Sequence, residues 1–190
     1  KDVTYQAQWR KNRYLVQFVS EGTVLREYTL SYGDAIPAQE KPTREGYTFV
    51  SWDKNVPDTV SDENVKNGKL VFQAVWKEIA YTISYNLAGG SLPTGKTNPT
   101  TFTINSKPMD LVQPKREGYT FEGWSGTDIK EKDTQVTVTA RPLKDRTYTA
   151  NWKENSYTIV FNVEGEVTRG EMKNIPLRYT QETTIPKNGY

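Results

Sequence analysis

Apolar and polar residues alternate with a period of two along most of this chain. Tyr81, Ile83, Tyr85 and Leu87 fall on one face of an extended backbone, and Thr82, Ser84 and Asn86 on the other. Tyr157, Ile159, Phe161 and Val163 repeat the pattern. Tyr148, Ala150 and Trp152 alternate with Thr147, Thr149, Asn151 and Lys153, and Val136 and Val138 with Gln135, Thr137 and Thr139. Successive strand side chains point to opposite faces, so such runs predict half-buried strands of an antiparallel sheet. Gly89-Gly90, Asn67-Gly68 and Gly33-Asp34 supply turns that tolerate positive φ. No window of helical length keeps an i, i+3, i+4 apolar stripe, so the chain reads as mainly β with little helix.

The strands recur in sets. Tyr5-Gln-Ala-Gln-Trp9-Arg10, Phe72-Gln-Ala-Val-Trp76-Lys77 and Tyr148-Thr-Ala-Asn-Trp152-Lys153 are one motif, with tryptophans 67 and 76 residues apart. Pro-x-Arg-Glu-Gly-Tyr-Thr-Phe-x-x-Trp occurs at Pro42–Trp52 and again, 72 residues on, at Pro114–Trp124. A third motif opens each set: Tyr14-Leu-Val-Gln-Phe18, Tyr81-Thr-Ile-Ser-Tyr85 and Tyr157-Thr-Ile-Val-Phe161. The unit is therefore about 70 residues long. Residues 13–78 and 79–154 each hold a complete repeat; 1–12 read as the last strand of a preceding one, and 155–190 as the first half of a following one.

Each repeat owns one set of large aromatics, in the second Tyr81, Tyr85, Tyr119, Phe121, Trp124, Tyr148 and Trp152. A domain of ~70 residues buries only about 60% of its unfolded surface and leans on bulky side chains for a core. The recurring aromatics are thus expected to be core, with Trp76 and Trp152 buried at equivalent places. A ring-stacking sugar platform is the competing use.

Composition removes whole classes of chemistry. The 190 residues include no cysteine and no histidine, so imidazole triads, thiol nucleophiles, disulfides and Cys/His zinc sites have no side chains to use. Lys+Arg number 25 against 23 Asp+Glu, for a formal charge of +2, and no basic block tracks a phosphate backbone. No nucleic-acid partner is expected. No stretch approaches the roughly 18 apolar residues that cross a bilayer, so direct membrane insertion is not expected either.

At Arg116–Trp124, Tyr81–Gly90 and Tyr148–Lys153 the chain resembles the Listeria–Bacteroides repeat family, which includes the B repeats of internalin B. The resemblance covers essentially the whole chain. It implies small β-grasp-like modules, strung as beads in secreted or wall-attached bacterial adhesins, with no catalytic residues to carry over. Three departures stand out: Val50-Ser51 for Glu122-Gly123, a shorter acidic connection at Val56–Lys66, and Gly165-Glu166 for Gly89-Gly90.

Several motifs tempt. Gly90-Ser-Leu-Pro-Thr-Gly95-Lys96-Thr97 satisfies the P-loop pattern. That mechanism needs a helix starting at Lys-Thr, whereas Asn98-Pro99 follows at once and Thr101–Asn105 alternates like a strand. A hairpin loop pairing Thr101–Asn105 near Tyr81–Leu87 is expected, and no nucleotide. Leu92-Pro93-Thr94-Gly95 lacks one residue of a sortase signal. Ser51-Trp-Asp-Lys54 fits the Ser-x-x-Lys of penicillin-binding enzymes but follows a strand motif. Asp53, Asp58, Asp62 and Glu63 lack the spacing of a calcium loop, and lysine–asparagine or lysine–aspartate isopeptide cross-links cannot be located from sequence.

The expected function is non-enzymatic, without cofactor, metal or catalytic residues: an extracellular or cell-surface stalk and adhesive spacer whose partners are its neighbouring repeats. A glycan- or host-protein-binding module using exposed aromatic and basic residues is the alternative.

Overall fold

The computed structural model describes residues 2–160 and 174–184. Among them there is no helix, and strands and turns carry the fold. The chain divides into two compact units, Lys1–Ile79 and Ala80–Tyr190.

The first unit is a four-stranded sheet of β1 (Arg13–Ser20), β2 (Thr23–Ser31), β3 (Tyr47–Trp52) and β4 (Lys69–Glu78), in the order β2-β1-β4-β3. β1 and β2 are joined by Glu21-Gly22, both at positive φ (47° and 83°), the two-residue turn whose twist suits a hairpin. Alternation along β1 buries Tyr14, Val16 and Phe18; β4 adds Leu70 and Phe72. The connections between β2 and β3 and between β3 and β4 contribute Ile36, Val60 and the partly buried Val56 and Val65 to the same core. Phe18 stacks on Phe72 with centroids 4.9 Å apart.

The second unit repeats this plan and adds to it. Its main sheet has the order β6-β5-β11-β8-β9, from β5 (Tyr81–Asn86), β6 (Thr101–Phe102), β8 (Tyr119–Gly126), β9 (Ile129–Asp133) and β11 (Arg146–Glu154). The short pair β7 (Met109–Asp110) and β10 (Thr137–Val138) supplies Met109 and Val138 to a core of Ile83, Phe102, Leu111, Trp124, Val136, Tyr148 and Ala150. A last hairpin joins β12 (Ser156–Ile159) to β13 (Ile175–Arg178).

The expected all-antiparallel sheet is not what forms. β1 pairs β4 in parallel, Leu15↔Lys69 through Val19↔Gln73, and β5 pairs β11 in parallel, Ile83↔Arg146 through Thr149↔Asn86. Alternation reports which face of a strand is dry and says nothing of which strand lies beside it. Parallel neighbours need a long crossover, and here the intervening strands and connections are that crossover.

Residues 2–12 form no strand, and Tyr5 and Trp9 are 90% and 91% exposed. β4 and β11, which carry the same aromatic-x-Ala-x-Trp motif, are each held between two hydrogen-bonded partners. No described residue pairs with 2–10, so its backbone has no ladder to join. Of Thr101–Asn105, only Thr101–Phe102 is strand, pairing Thr82 and Tyr81; a turn closed by Ser106 N–H to Thr103 O (3.1 Å) ends it. Phe161, Val163 and the Gly165-Glu166 turn lie outside the described residues.

Candidate functional site

The most repeated geometry in the molecule is built by Arg-Glu-Gly-Tyr. Arg44 to Tyr47 is a tight turn, closed by Tyr47 N–H to Arg44 O at 3.1 Å; Arg116 to Tyr119 is its copy at 3.2 Å. Gly46 and Gly118 sit at φ 77° and 75°, where a Cβ costs about 1–2 kcal/mol. That explains the invariant spacing of the motif within the chain. The guanidinium then lies over the tyrosine ring, 3.6 Å from the Tyr47 centroid and 3.7 Å from that of Tyr119.

From that perch each arginine reaches the first hairpin of its own repeat. Arg44 pairs with Glu21 at 2.7 Å, and Arg116 donates to the Ala88 carbonyl at 3.1 Å. Glu21 and Ala88 hold the same position in their turns, both at φ 47°. The arginine therefore ties the third strand of the motif to the turn between the first two.

Beyond the turn runs a ladder of rings. Phe49 touches Trp52 (5.2 Å) and Trp76 (5.7 Å); Phe121 touches Trp124 (5.6 Å) and Trp152 (5.4 Å). Trp76 and Trp152 do occupy equivalent places, since their indole N–H groups donate to Ser20 Oγ and to Leu87 O, each at 3.0 Å and each acceptor on the residue before the turn. They are half-buried rather than core. The fully buried tryptophan is Trp124, while its counterpart Trp52 is half-buried.

Trp52 stands beside a cleft of about 620 Å³ with Phe18 and Tyr28, rimmed by Arg26, Gln39, Glu40, Lys41 and Thr43. Sequence reasoning missed the 38–43 stretch, whose polar residues carry no period. It also missed Arg146, which is 4% exposed in the second repeat. Arg146 donates to the Thr139 and Pro142 carbonyls at 2.9 and 3.0 Å and lies 4.3 Å from the Phe102 ring. An arginine inside an apolar-alternating strand gave no signal of burial.

The tempting motifs take structural places. Lys96 is exposed, and its N–H closes a turn onto Pro93 O at 3.0 Å; no helix follows it. Ser51 is on β3 and Lys54 beyond its end, so the two do not share a helical turn. Asp53 Oδ1 accepts from Gln73 N–H at 2.8 Å, and Asp62 accepts from the Tyr14 hydroxyl, a bond that holds the tyrosine pKa above its usual value. No cluster of three or more metal-ligating side chains exists among the described residues. Nor is any helix among them long and apolar enough to cross a membrane. Burial, with Tyr148 nearby, raises the Tyr85 pKa far above its usual value, and its hydroxyl donates to Pro99 O at 2.7 Å.

Known proteins resemble this chain at the level of the repeat. A protein of Evansella cellulosilytica named as a Gly-rich membrane protein is 28% identical over 97% of this chain and 21% of its own length. A second, named as a membrane protein of the same organism, is 24% identical over 100% of this chain and 29% of its own. Internalin H of Listeria monocytogenes is 30% identical over 50% of this chain and 17% of its own. The chain thus spans under a third of each relative's length. No solved structure matches. The profile of the Listeria-Bacteroides repeat domain matches twice, at residues 14–74 and 81–147. Each match holds one turn-and-arginine motif and runs from the first strand of its repeat into the last, and the chain belongs to that repeat family.

Proposed function

We propose that this chain is a non-catalytic tandem-repeat segment of a bacterial secreted or cell-surface protein, acting as a stalk or spacer and in adhesion. The observation that carries the reading is the parallel pairing of first and last strands. Because β1 and β4 run the same way, the chain enters a repeat at one end of its central strands and leaves at the other end. From Lys69, level with Leu15, β4 runs on to Glu78, about 30 Å at a strand's rise per residue. A repeat so built gains reach for its neighbours, where a last strand antiparallel to the first would return the chain to its start. The sheet order β2-β1-β4-β3 supports the β-grasp-like description of the module. Relatives named as membrane proteins and as an internalin support the cell surface as its setting. The family is typically non-catalytic.

A spacer is judged by length. Deleting residues 79–154 from the parent protein should shorten the reach of whatever lies beyond by one repeat and leave binding by that distal part intact. Saturable binding of a host glycan or protein to the repeats themselves, abolished by mutating one patch, would sink the spacer reading.

One observation favours the glycan-binding alternative. The cleft of the first repeat sets the half-buried rings of Tyr28 and Trp52, backed by the buried Phe18, beneath a rim of donors and acceptors, a mixture suited to a sugar ring with one apolar face. Titration with bacterial and host oligosaccharides, read by Trp52 fluorescence and repeated on Trp52→Ala, separates it from the spacer reading.

A further inference from the structure

The hairpin β12–β13 has the register of β1–β2. Ser156 faces Arg178 and Tyr157 faces Leu177, as Arg13 faces Ser31 and Tyr14 faces Leu30. After the second strand of each comes a tyrosine whose N–H donates to the asparagine before the first: Tyr179 to Asn155 O at 3.1 Å, Tyr32 to Asn12 O at 2.9 Å.

In the second unit that tyrosine is docked on the repeat before it. The Tyr179 ring lies on Gly118, so close that a Cβ there would fall 2.0 Å from it, and meets Tyr119 edge-on at 6.1 Å. Asn155 N–H donates to Gly118 O at 2.9 Å, and Asn155 Oδ1 accepts from Thr120 Oγ1 at 2.6 Å. Glu154 accepts from the Thr180 N–H at 3.1 Å and from its hydroxyl. Gly118 therefore serves two ends: its φ lets the turn close, and its bare Cα is a seat for the next repeat's tyrosine.

The first repeat carries the other half of such a joint. Tyr32 is 48% exposed beside Asn12 and Gly33, with Asn12 already bound to it. Residues 1–12 share Lys-Asp-x-Thr-Tyr-x-Ala-x-Trp-x-x-Asn with Lys144–Asn155, the strand and linker that lead into the docked hairpin. We propose that the face made by Asn12, Tyr32 and Gly33 docks the Arg-Glu-Gly-Tyr turn of a preceding repeat of the same array. Tyr32 then covers the glycine of that turn as Tyr179 covers Gly118. The joint rests on the tandem-repeat reading and adds that the repeat of residues 13–78 is held on the one before it.

The test is to join a copy of residues 79–143 ahead of Lys1, so that the chain's own residues 1–12 close the added repeat. A companion chain replaces 1–12 with a copy of 79–155, which already folds in the second unit with its own last strand. Expected is a several-fold fall in the nitration rate of Tyr32, with new amide protection at Asn12. Tyr32→Ala should leave both repeats folded but let their residual dipolar couplings fit independent alignments. In the 190-residue chain, Tyr179→Ala should likewise free the β12–β13 pair and shift the Gly118 and Tyr119 amides. The proposal is overturned if the added repeat folds in either chain while Tyr32 stays as reactive as before. Failure of both added repeats to fold ahead of Arg13 overturns it too, as does a Tyr179→Ala chain whose β12–β13 pair keeps its alignment. Discovery of a ligand for the repeats would remove the spacer reading and leave these outcomes standing.

Discussion

The two repeats place one motif in two environments. Both follow Arg-Glu-Gly-Tyr-Thr-Phe with a tryptophan three residues after the phenylalanine, both seat the arginine on the tyrosine, and both pack the phenylalanine between two tryptophans. Yet Trp124 has no exposure and Trp52 keeps some. The difference lies in the connections. In the second repeat Leu111, Val136 and Val138 join Trp124 in the core, and β9 adds a strand beyond β8. In the first repeat the connections bury Ile36 and Val60 and leave a cleft at Trp52. The motif specifies a turn and a sheet; the segments around it decide whether its tryptophan is core or surface.

Truncating the two tryptophans is the strongest way to break this comparison. Trp124→Ala should cost on the order of 3–5 kcal/mol, comparable with the whole stability of so small a domain. Trp52→Ala, already partly wet, should cost about 1–2 kcal/mol. Denaturant melts with a separate fluorescence signal for each repeat would show it, and equal losses would refute the division into core and surface tryptophans. Half-buried Trp152 should fall between them.

The glycines sharpen it next. Gly46→Ala and Gly118→Ala should each lose about 1–2 kcal/mol to positive φ. Gly118→Ala should lose more, because its methyl also meets the Tyr179 ring. Added to a Tyr179→Ala background, Gly118→Ala should fall back to the cost of Gly46→Ala; a surplus that persists would show that the ring is not its cause.

Smaller effects are expected at the arginines. Arg44→Met and Arg116→Met each remove a half-buried cation–π contact with a tyrosine, worth roughly 0.5–1 kcal/mol, and Arg44→Met also removes a longer one to Trp76. Arg44 also loses its pair with Glu21, a surface bridge of about 0–1 kcal/mol that salt should screen. Arg116 loses a bond to a carbonyl instead. Raising the salt concentration should therefore erode the first loss more than the second.

The smallest is a response to acid. Hydrogen bonds from the Thr180 side chain and N–H hold the Glu154 carboxyl below its usual pKa. A depressed folded-state pKa contributes stability above the unfolded value, lost as pH falls through the folded one. The Thr180 amide should thus lose protection below about pH 4.5, the ordinary range of the carboxyl. Lys11 stands where Glu154 does, so the corresponding amide of Gly33 should show no such step in that window; Glu154→Gln should flatten the response.

Much of this fold could be read from its letters. Tyr81, Ile83 and Tyr85 alternate because β5 has a dry side, and the spacing of Arg44 to Tyr47 and of Arg116 to Tyr119 is the length of a closed turn. The parallel centre of each sheet could not be read, since Val16 and Leu70 look the same whichever way their strands run. β9 escaped notice because Ile129–Asp133 is nearly all charge; its ladder to β8 is backed by the Lys132–Glu122 pair at 2.7 Å. Tyr32 and Tyr179 give no periodic signal either: what makes them alike is an asparagine carbonyl 20 and 24 residues upstream, which only the strand register brings near.

The parallel pair at the heart of each repeat also decides how it meets force. Tension applied to the two ends of the first repeat pulls β1 and β4 along their length in opposite directions. The bonds from Leu15–Val19 to Lys69–Gln73 are then loaded in shear, all together, and cannot open one at a time from an end as a pulled hairpin does. Ile83–Asn86 and Arg146–Thr149 face the same load in the second repeat. A chain pulled from both ends would thus put its strain on the rungs that must fail as a group, while β2 and β6, out at the sheet edges, carry none of the pull.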